Sequence, residues 1–148
     1  AEIAEYFFTR FNLGIILTCG PDEREQAEKL IQCLPKNVPY TFISTEFSVL
    51  LGITASAKFV VCHNGGYMHA ASAMGIPVAA LFGLTDYRIW KPLGKKSVVL
   101  HKDIDCWPCT SKTMKQVCWD GKPECKELIS PDDVIKSIQK ICPEFLDK

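Results

Sequence analysis

The chain has 148 residues, 47% of them hydrophobic, which suits one domain with a substantial core and excludes a disordered tail. Lysine plus arginine equals aspartate plus glutamate at 17 each, so composition supplies no general attraction to nucleic acid or anionic lipid, and any anion must be held locally. No apolar run approaches the roughly 20 residues of a membrane span, and no signal-peptide pattern opens the chain, which therefore reads as soluble.

The first residue is not methionine and lies directly inside an amphipathic pattern (Ile3, Ala4, Phe7, Phe8, Phe11), so the chain is read as a fragment of something longer. Residues 2–12 predict a helix. Gly14 to Cys19 is apolar without alternation, as a buried parallel strand is, and Gly20-Pro21 turns the chain. A helix is expected from Asp22 to Leu34, with acids in its first turn and Ala27, Leu30, Ile31 and Leu34 on one face. Tyr40–Ile43 predicts a short strand. Glu46–Ala57 predicts a helix capped by Ser44 or Thr45, with Phe47, Leu50 and Leu51 inward, and Lys58–Cys62 the next strand.

Asn64-Gly65-Gly66 then passes into a helix of small side chains that stops at Gly75, and Val78–Phe82 follows Pro77 as another strand. Asn-Gly is also a hairpin signal, but Met68, Ala71, Ser72 and Gly75 continue at helical rather than alternating spacing. A glycine turn from a strand into a helix places unpaired backbone N–H groups and the positive end of the helix dipole where a phosphate can approach; a turn without ligand is the plainer alternative. Beyond Gly83 come a turn-rich loop from Asp86, a short strand at Ser97–His101, a cysteine-rich loop at 102–128, and a last helix capped by Ser130 with Val134, Ile135, Ile138 and Ile141 on one face. Alternation of strands and helices argues for a Rossmann-like three-layer α/β/α fold with a mainly parallel sheet.

The eight cysteines fall into two kinds. Cys19, Cys33, Cys62 and Cys142 adjoin apolar segments and read as small buried hydrophobes. Cys106, Cys109, Cys118 and Cys125 form a cluster whose spacing suits zinc, two disulfides or free thiols, and it is taken as structural, with Trp107 and Trp119 packing the loop.

The motifs Asn64-Gly65-Gly66-Tyr67-Met68-His69, Gly75-Ile76-Pro77 and Phe82-Gly83-Leu84-Thr85-Asp86 resemble the family-9 glycosyltransferases, typified by the bacterial lipopolysaccharide heptosyltransferases. The upstream Gly20-Pro21-Asp22-Glu23 and the late cysteine cluster are similar to that family as well. The resemblance covers nearly the whole chain but only the carboxy-terminal half of a family member. It implies the donor-binding half of a GT-B enzyme, working in the cytoplasm on lipopolysaccharide biosynthesis. It also implies an inverting transfer from a nucleoside diphosphate sugar, with the general base in the missing amino-terminal acceptor domain. No catalytic residue, cofactor or metal is therefore assigned to this chain. The full enzyme is left room for peripheral membrane association, and no nucleic-acid partner is implied. Two positions depart from the pattern: Asn64-Gly65 stands where the family has Asp-Thr, and Leu84 where it has proline.

By the same resemblance the donor diphosphate falls to Asn64, Gly65, Gly66, Tyr67, Met68 and His69, the backbone N–H groups facing the phosphates and His69 bonding an oxygen. Glu23 is assigned to the ribose, Thr45 and Phe47 to the nucleoside, and Thr85 and Asp86 to the cleft edge, with Arg88 and Lys91 lending charge there. Each has a structural alternative: a core histidine at His69, a helix-start charge at Glu23, a cap and a core aromatic at Thr45 and Phe47. Two further functions stand beside the transferase: a non-catalytic nucleotide-binding module, and an interaction domain whose cysteine cluster carries a metal.

Overall fold

The structure, a computed structural model, describes residues 1–105, 107 and 124–146, which divide into two compact units at residues 50 and 51. In the first unit, helix α1 (Glu2–Phe11) buries Ala4 and Phe7, and Phe7 meets the ring of Phe11 one turn on at 5.9 Å. The helix ends because Asn12 turns left-handed at φ 54°, its N–H bonding the Phe8 carbonyl at 2.8 Å. Strand β1 (Ile15–Thr18) pairs in parallel with β2 (Tyr40–Ile43), with Ile15 opposite Tyr40. Between them a 3-10 turn at Pro21–Glu23 leads into α2 (Arg24–Gln32).

Expectations fail in this unit at α2 and just after it. The helix expected over 22–34 is a 3-10 turn plus nine helical residues with none buried, and Leu30 is 42% exposed. Cys33, expected inside, is exposed as well. A two-stranded sheet offers a face only about 10 Å wide, too narrow to cover the apolar stripe of every helix beside it. Helix α3 (Phe47–Thr54) carries the boundary between units.

The second unit holds a three-stranded sheet in the order β3 (Val60–His63), β4 (Val78–Leu81), β5 (Ser97–Leu100), all parallel. The hairpin reading of Asn64-Gly65 is thereby excluded. Cys62, Ala80 and Val99 lie in one cross-strand row, and Val60, Val78 and Ser97 in another. These rows face α4 (Gly66–Ala73), whose Met68 and Ala71 join Val60, Val78, Ala80 and Phe82 in one core cluster. Helix α7 (Pro131–Ile141) lies against β4 and β5 and buries Val134 and Ile138. The described residues of this unit also form two shorter helices, α5 (Tyr87–Trp90) and α6 (Glu124–Glu127), and a 3-10 turn at Pro143–Phe145. The Rossmann-like α/β reading holds, in parallel strands that belong to a two-stranded and a three-stranded sheet.

The start of α7 is fixed electrostatically. Ser130 Oγ accepts from the Asp133 N–H at 3.1 Å, Asp133 Oδ2 accepts from the Ser130 N–H at 3.0 Å, and Lys102 Nζ lies 3.0 Å from the same carboxylate. The bond from Lys102, then those with Ser130, hold the Asp133 carboxyl down to about 2. A depressed carboxyl stabilises the fold above its unfolded pKa of about 3.9, and the contribution is lost as pH falls from there through about 2. Asp133→Asn should therefore lower urea stability at neutral pH, with the gap to the parent closing toward pH 2. A gap that stays constant over that range would show that Asp133 contributes by other means.

Candidate functional site

The candidate site begins where β3 runs out. The Asn64 N–H donates to the Leu81 carbonyl at 3.1 Å, extending the ladder past His63, and Gly65 then leaves the sheet in extended backbone at φ 176°. Helix α4 starts at Gly66, and its first closing bond runs from the His69 N–H to the Gly65 carbonyl at 3.4 Å. The N–H groups of Gly66, Tyr67 and Met68 precede it and have no helical carbonyl to meet. Gly65 has no side chain to cap them. Three donors and the positive end of an eight-residue helix thus open at the carboxyl ends of parallel strands, where α/β sheets take ligands.

The glycines of this unit differ in what requires them. Gly75 sits left-handed at φ 78°, with its N–H on the Ser72 carbonyl at 3.1 Å and the Ile76 N–H on Ala71 at 3.2 Å, a Schellman ending for α4. Gly94 is required by packing: a Cβ there would stand 2.5 Å from Ser72 Oγ and 2.7 Å from the Ser72 carbonyl. Neither reason holds at Gly65 and Gly66, where φ lies outside the left-handed region and a Cβ would meet nothing within 4 Å. What a side chain would obstruct there is the approach to the free N–H groups.

Side chains of the turn divide by direction. Tyr67 is half-buried and its hydroxyl lies 2.8 Å from Thr54 Oγ1, tying α4 to the end of α3; burial pushes its phenol up. Met68 is fully buried. Both therefore offer the site only their backbone. His69 is exposed and lines an open cleft of about 500 Å³ with Ser72, Ala73, Leu93, Gly94 and Lys95. Ser72 fixes one wall, accepting from the Gly94 N–H at 2.8 Å and meeting Ser97 Oγ at 3.2 Å. Nothing in the sequence spacing joins residues 93–95 to His69; the Ser72 hydroxyl does so.

Five residues beyond β4, Asp86 is engaged by its own neighbours. It is buried as the N-cap of α5, accepting from the Arg88 N–H at 2.9 Å and gripping the guanidinium at 2.6 to 3.1 Å. Hydrogen bonds from Arg88 hold this carboxyl below the usual range, so it is ionised but spoken for, and the charge of Arg88 is neutralised with it. Beside the pair, Tyr87 stacks on His101 at 4.1 Å and on Trp107 at 5.3 Å, and the Arg88 guanidinium lies 5.2 Å from the Trp107 ring. Thr85 Oγ1, His101 Nδ1 and Trp107 Nε1 are buried there without a hydrogen-bond partner among the described residues. The Nδ1 of His101 lies 3.4 Å from Asp103 Oδ1. His101 had no assigned part, and no spacing signal brings residues 87, 101 and 107 together.

Glu23, Thr45 and Phe47 belong to the first unit. Glu23 Oε2 accepts from the Gly20 N–H at 2.9 Å and so closes the turn after β1, while Thr45 is exposed and Phe47 is 52% exposed rather than inward. Burial raises the Cys62 and Cys142 thiols to about 11, which keeps both protonated and leaves them as packing groups. Of the cysteine cluster only Cys125, which is buried, lies among the described residues; Cys106, Cys109, Cys118 and Trp119 lie outside them. No group of side chains arranged to hold a metal occurs among the described residues.

The family model of glycosyltransferase family 9 (heptosyltransferase) matches residues 1–120. Lipopolysaccharide heptosyltransferase 3 of Escherichia coli (strain K12) is 27% identical over 134 residues, covering 88% of this chain and 37% of the relative. Lipopolysaccharide heptosyltransferase 1 of Pseudomonas aeruginosa is 31% identical over 91 residues, 62% of this chain and 25% of the relative. The fold is shared with E. coli ADP-heptose lps heptosyltransferase II at a TM-score of 0.78 and 18% identity, over 97% of this chain and 40% of that one. It is shared also with the glycosyl transferase family 9 structure from Veillonella parvula, at 0.77 and 20%. The chain spans no more than 40% of any of these relatives.

The contrast among the glycines makes a stability prediction. Gly66→Ala should leave the melting temperature within a degree or two, whereas Gly94→Ala should cost about 1–3 kcal/mol because a backbone carbonyl must move. Thermal unfolding of the two variants checks it, and equal losses would mean that Gly66 is held by packing after all.

Proposed function

Because the chain belongs to glycosyltransferase family 9, we propose that it is the donor-binding domain of an inverting glycosyltransferase. Residues 1–148 make one Rossmann-like domain in this reading, and the rest of the enzyme supplies the acceptor domain. The relatives are named as lipopolysaccharide heptosyltransferases, so the donor class is a nucleoside diphosphate sugar, heptose or another, and the acceptor a lipopolysaccharide or another glycan. The observation that carries the reading is the opening at Gly65-Gly66: free N–H groups at a helix start, with no intramolecular reason for glycine at either position.

The chemistry follows from that opening. Phosphate oxygens would accept from the N–H groups of Gly66, Tyr67 and Met68, with the Asn64 amide and the exposed His69 ring as side-chain partners. Charge accumulates on the diphosphate as the bond from the anomeric carbon to its oxygen breaks, and fixed donors stabilise that leaving group. A base elsewhere in the enzyme takes the proton of the acceptor hydroxyl that attacks the opposite face. Glu23 is kept as the ribose partner and Thr45 and Phe47 as nucleoside contacts, all three being exposed; Thr85 remains at the cleft edge. A cytoplasmic setting goes with a nucleotide-sugar donor.

Asn64 in place of the family aspartate favours a second reading, a nucleotide-binding module without transfer. The test is calorimetric titration of the chain with ADP, UDP, GDP and their sugar conjugates, followed by transfer assays with the chain and with the full-length protein. Weak binding is expected, with no transfer by the chain alone and transfer by the full-length protein. Gly66→Val should lower affinity tenfold or more, since a charge-assisted hydrogen bond contributes about 1.5–3 kcal/mol. Unchanged affinity in the folded variant removes the phosphate site from this turn, and a full-length protein that binds but does not transfer selects the second reading.

A further inference from the structure

Between Asp86 and Asp103 the sequence holds Arg88, Lys91, Lys95, Lys96 and Lys102 and no acid, in a chain whose acids and bases balance overall. The first part of this stretch is also where apolar side chains stand out: Ile89 is 71% exposed, Trp90 55% and Leu93 89%. Isolated exposed apolar residues are ordinary, but three within five positions are not. Nor is the segment loose. Pro92 is buried and the Gly94 N–H is bound to Ser72 Oγ, so Leu93 is held outward between two anchored neighbours. Arg88 is paired with Asp86, whereas Lys91, Lys95 and Lys96 are exposed and form no ion pair among the described residues.

From this we infer that residues 88–96 are a membrane-surface contact, in which Ile89, Trp90 and Leu93 enter the interfacial layer of an anionic bilayer and Lys91, Lys95 and Lys96 meet its headgroups. Charge complementarity selects this occupant. Lysine is depleted in the cores of protein interfaces, whereas lysines around tryptophan and leucine are the composition of interfacial anchors. Tryptophan favours the headgroup level, where its ring is half wet. The contact needs neither donor nor acceptor, and Leu93 and Lys95 are shared with the cleft beside His69.

The test is co-sedimentation of the full chain with vesicles of phosphatidylcholine alone and of phosphatidylcholine with one-third phosphatidylglycerol. Binding is expected to the anionic vesicles, weakened by added salt, with a blue shift of tryptophan emission. Each of Lys91→Gln, Lys95→Gln and Lys96→Gln should lower partitioning about fivefold. The double variant Trp90→Ala and Leu93→Ala should lower it at least about tenfold. Trp90→Phe should keep most of the binding and lose the shift. All these positions are exposed, and far-UV circular dichroism confirms that each variant is folded. No binding to anionic vesicles, equal binding to both compositions, or binding untouched by either set overturns the inference. Self-association abolished by the same substitutions, without vesicle binding, assigns the patch to a second copy and overturns it too.

Discussion

The second unit is organised by the burial of one strand. Val78, Ala79 and Ala80 of β4 are wholly inaccessible, paired on both edges by β3 and β5 and covered by α4 on one face and α7 on the other. A strand enclosed in this way has no lateral outlet for a polar group, so polar groups collect at its ends. The small side chains of Ala80 and Ala71 let α4 lie close to the sheet, and that closeness leaves the start of the helix no room to wander. The free N–H groups at Gly66, Tyr67 and Met68 therefore open beside the carboxyl end of β4 because the core beneath them is full.

The same constraint explains how polar side chains are used nearby. Ser72 is buried on a helix of small residues, and its hydroxyl is satisfied by the Gly94 N–H and Ser97. Through it the apolar packing of α4 fixes the loop that carries Leu93 and Lys95, so cleft and loop share one anchor. Asp86 does the equivalent at the other end of that loop, holding α5 by its cap and Arg88 by its charge.

The legible part of the fold was the part fixed by chain-local rules. Apolar runs without alternation gave β3 and β4, small residues at helical spacing gave α4, and Gly75 before Pro77 ended it. Leu30 and Phe47 were misplaced because amphipathic spacing says which face could be buried but not whether a surface exists to bury it. Asp86, expected to end the strand, instead caps α5 five residues beyond β4 and is paired with Arg88 two residues on, a pairing that competes with any ligand. The stack of Tyr87, His101 and Trp107 was hidden for a different reason: β5 and the chain beyond it carry the last two rings back to the first, and no local pattern encodes that return.

Asn64 is where the charge argument is sharpest. A carboxylate at this position only accepts hydrogen bonds, so beside a diphosphate it adds repulsion unless a hydroxyl or a donor lies between. An amide can donate to a phosphate oxygen and accept from a hydroxyl at once. Exchanging one for the other makes the potential at the start of α4 more positive without adding a cation, while His69 and Lys95 line the cleft alongside. The chain as a whole is neutral, but its local fields are not. Placement rather than amount of charge distinguishes the helix end at Gly66 from the lysine-bearing segment at 88–96, and on that difference rest the two anionic contacts proposed for this unit.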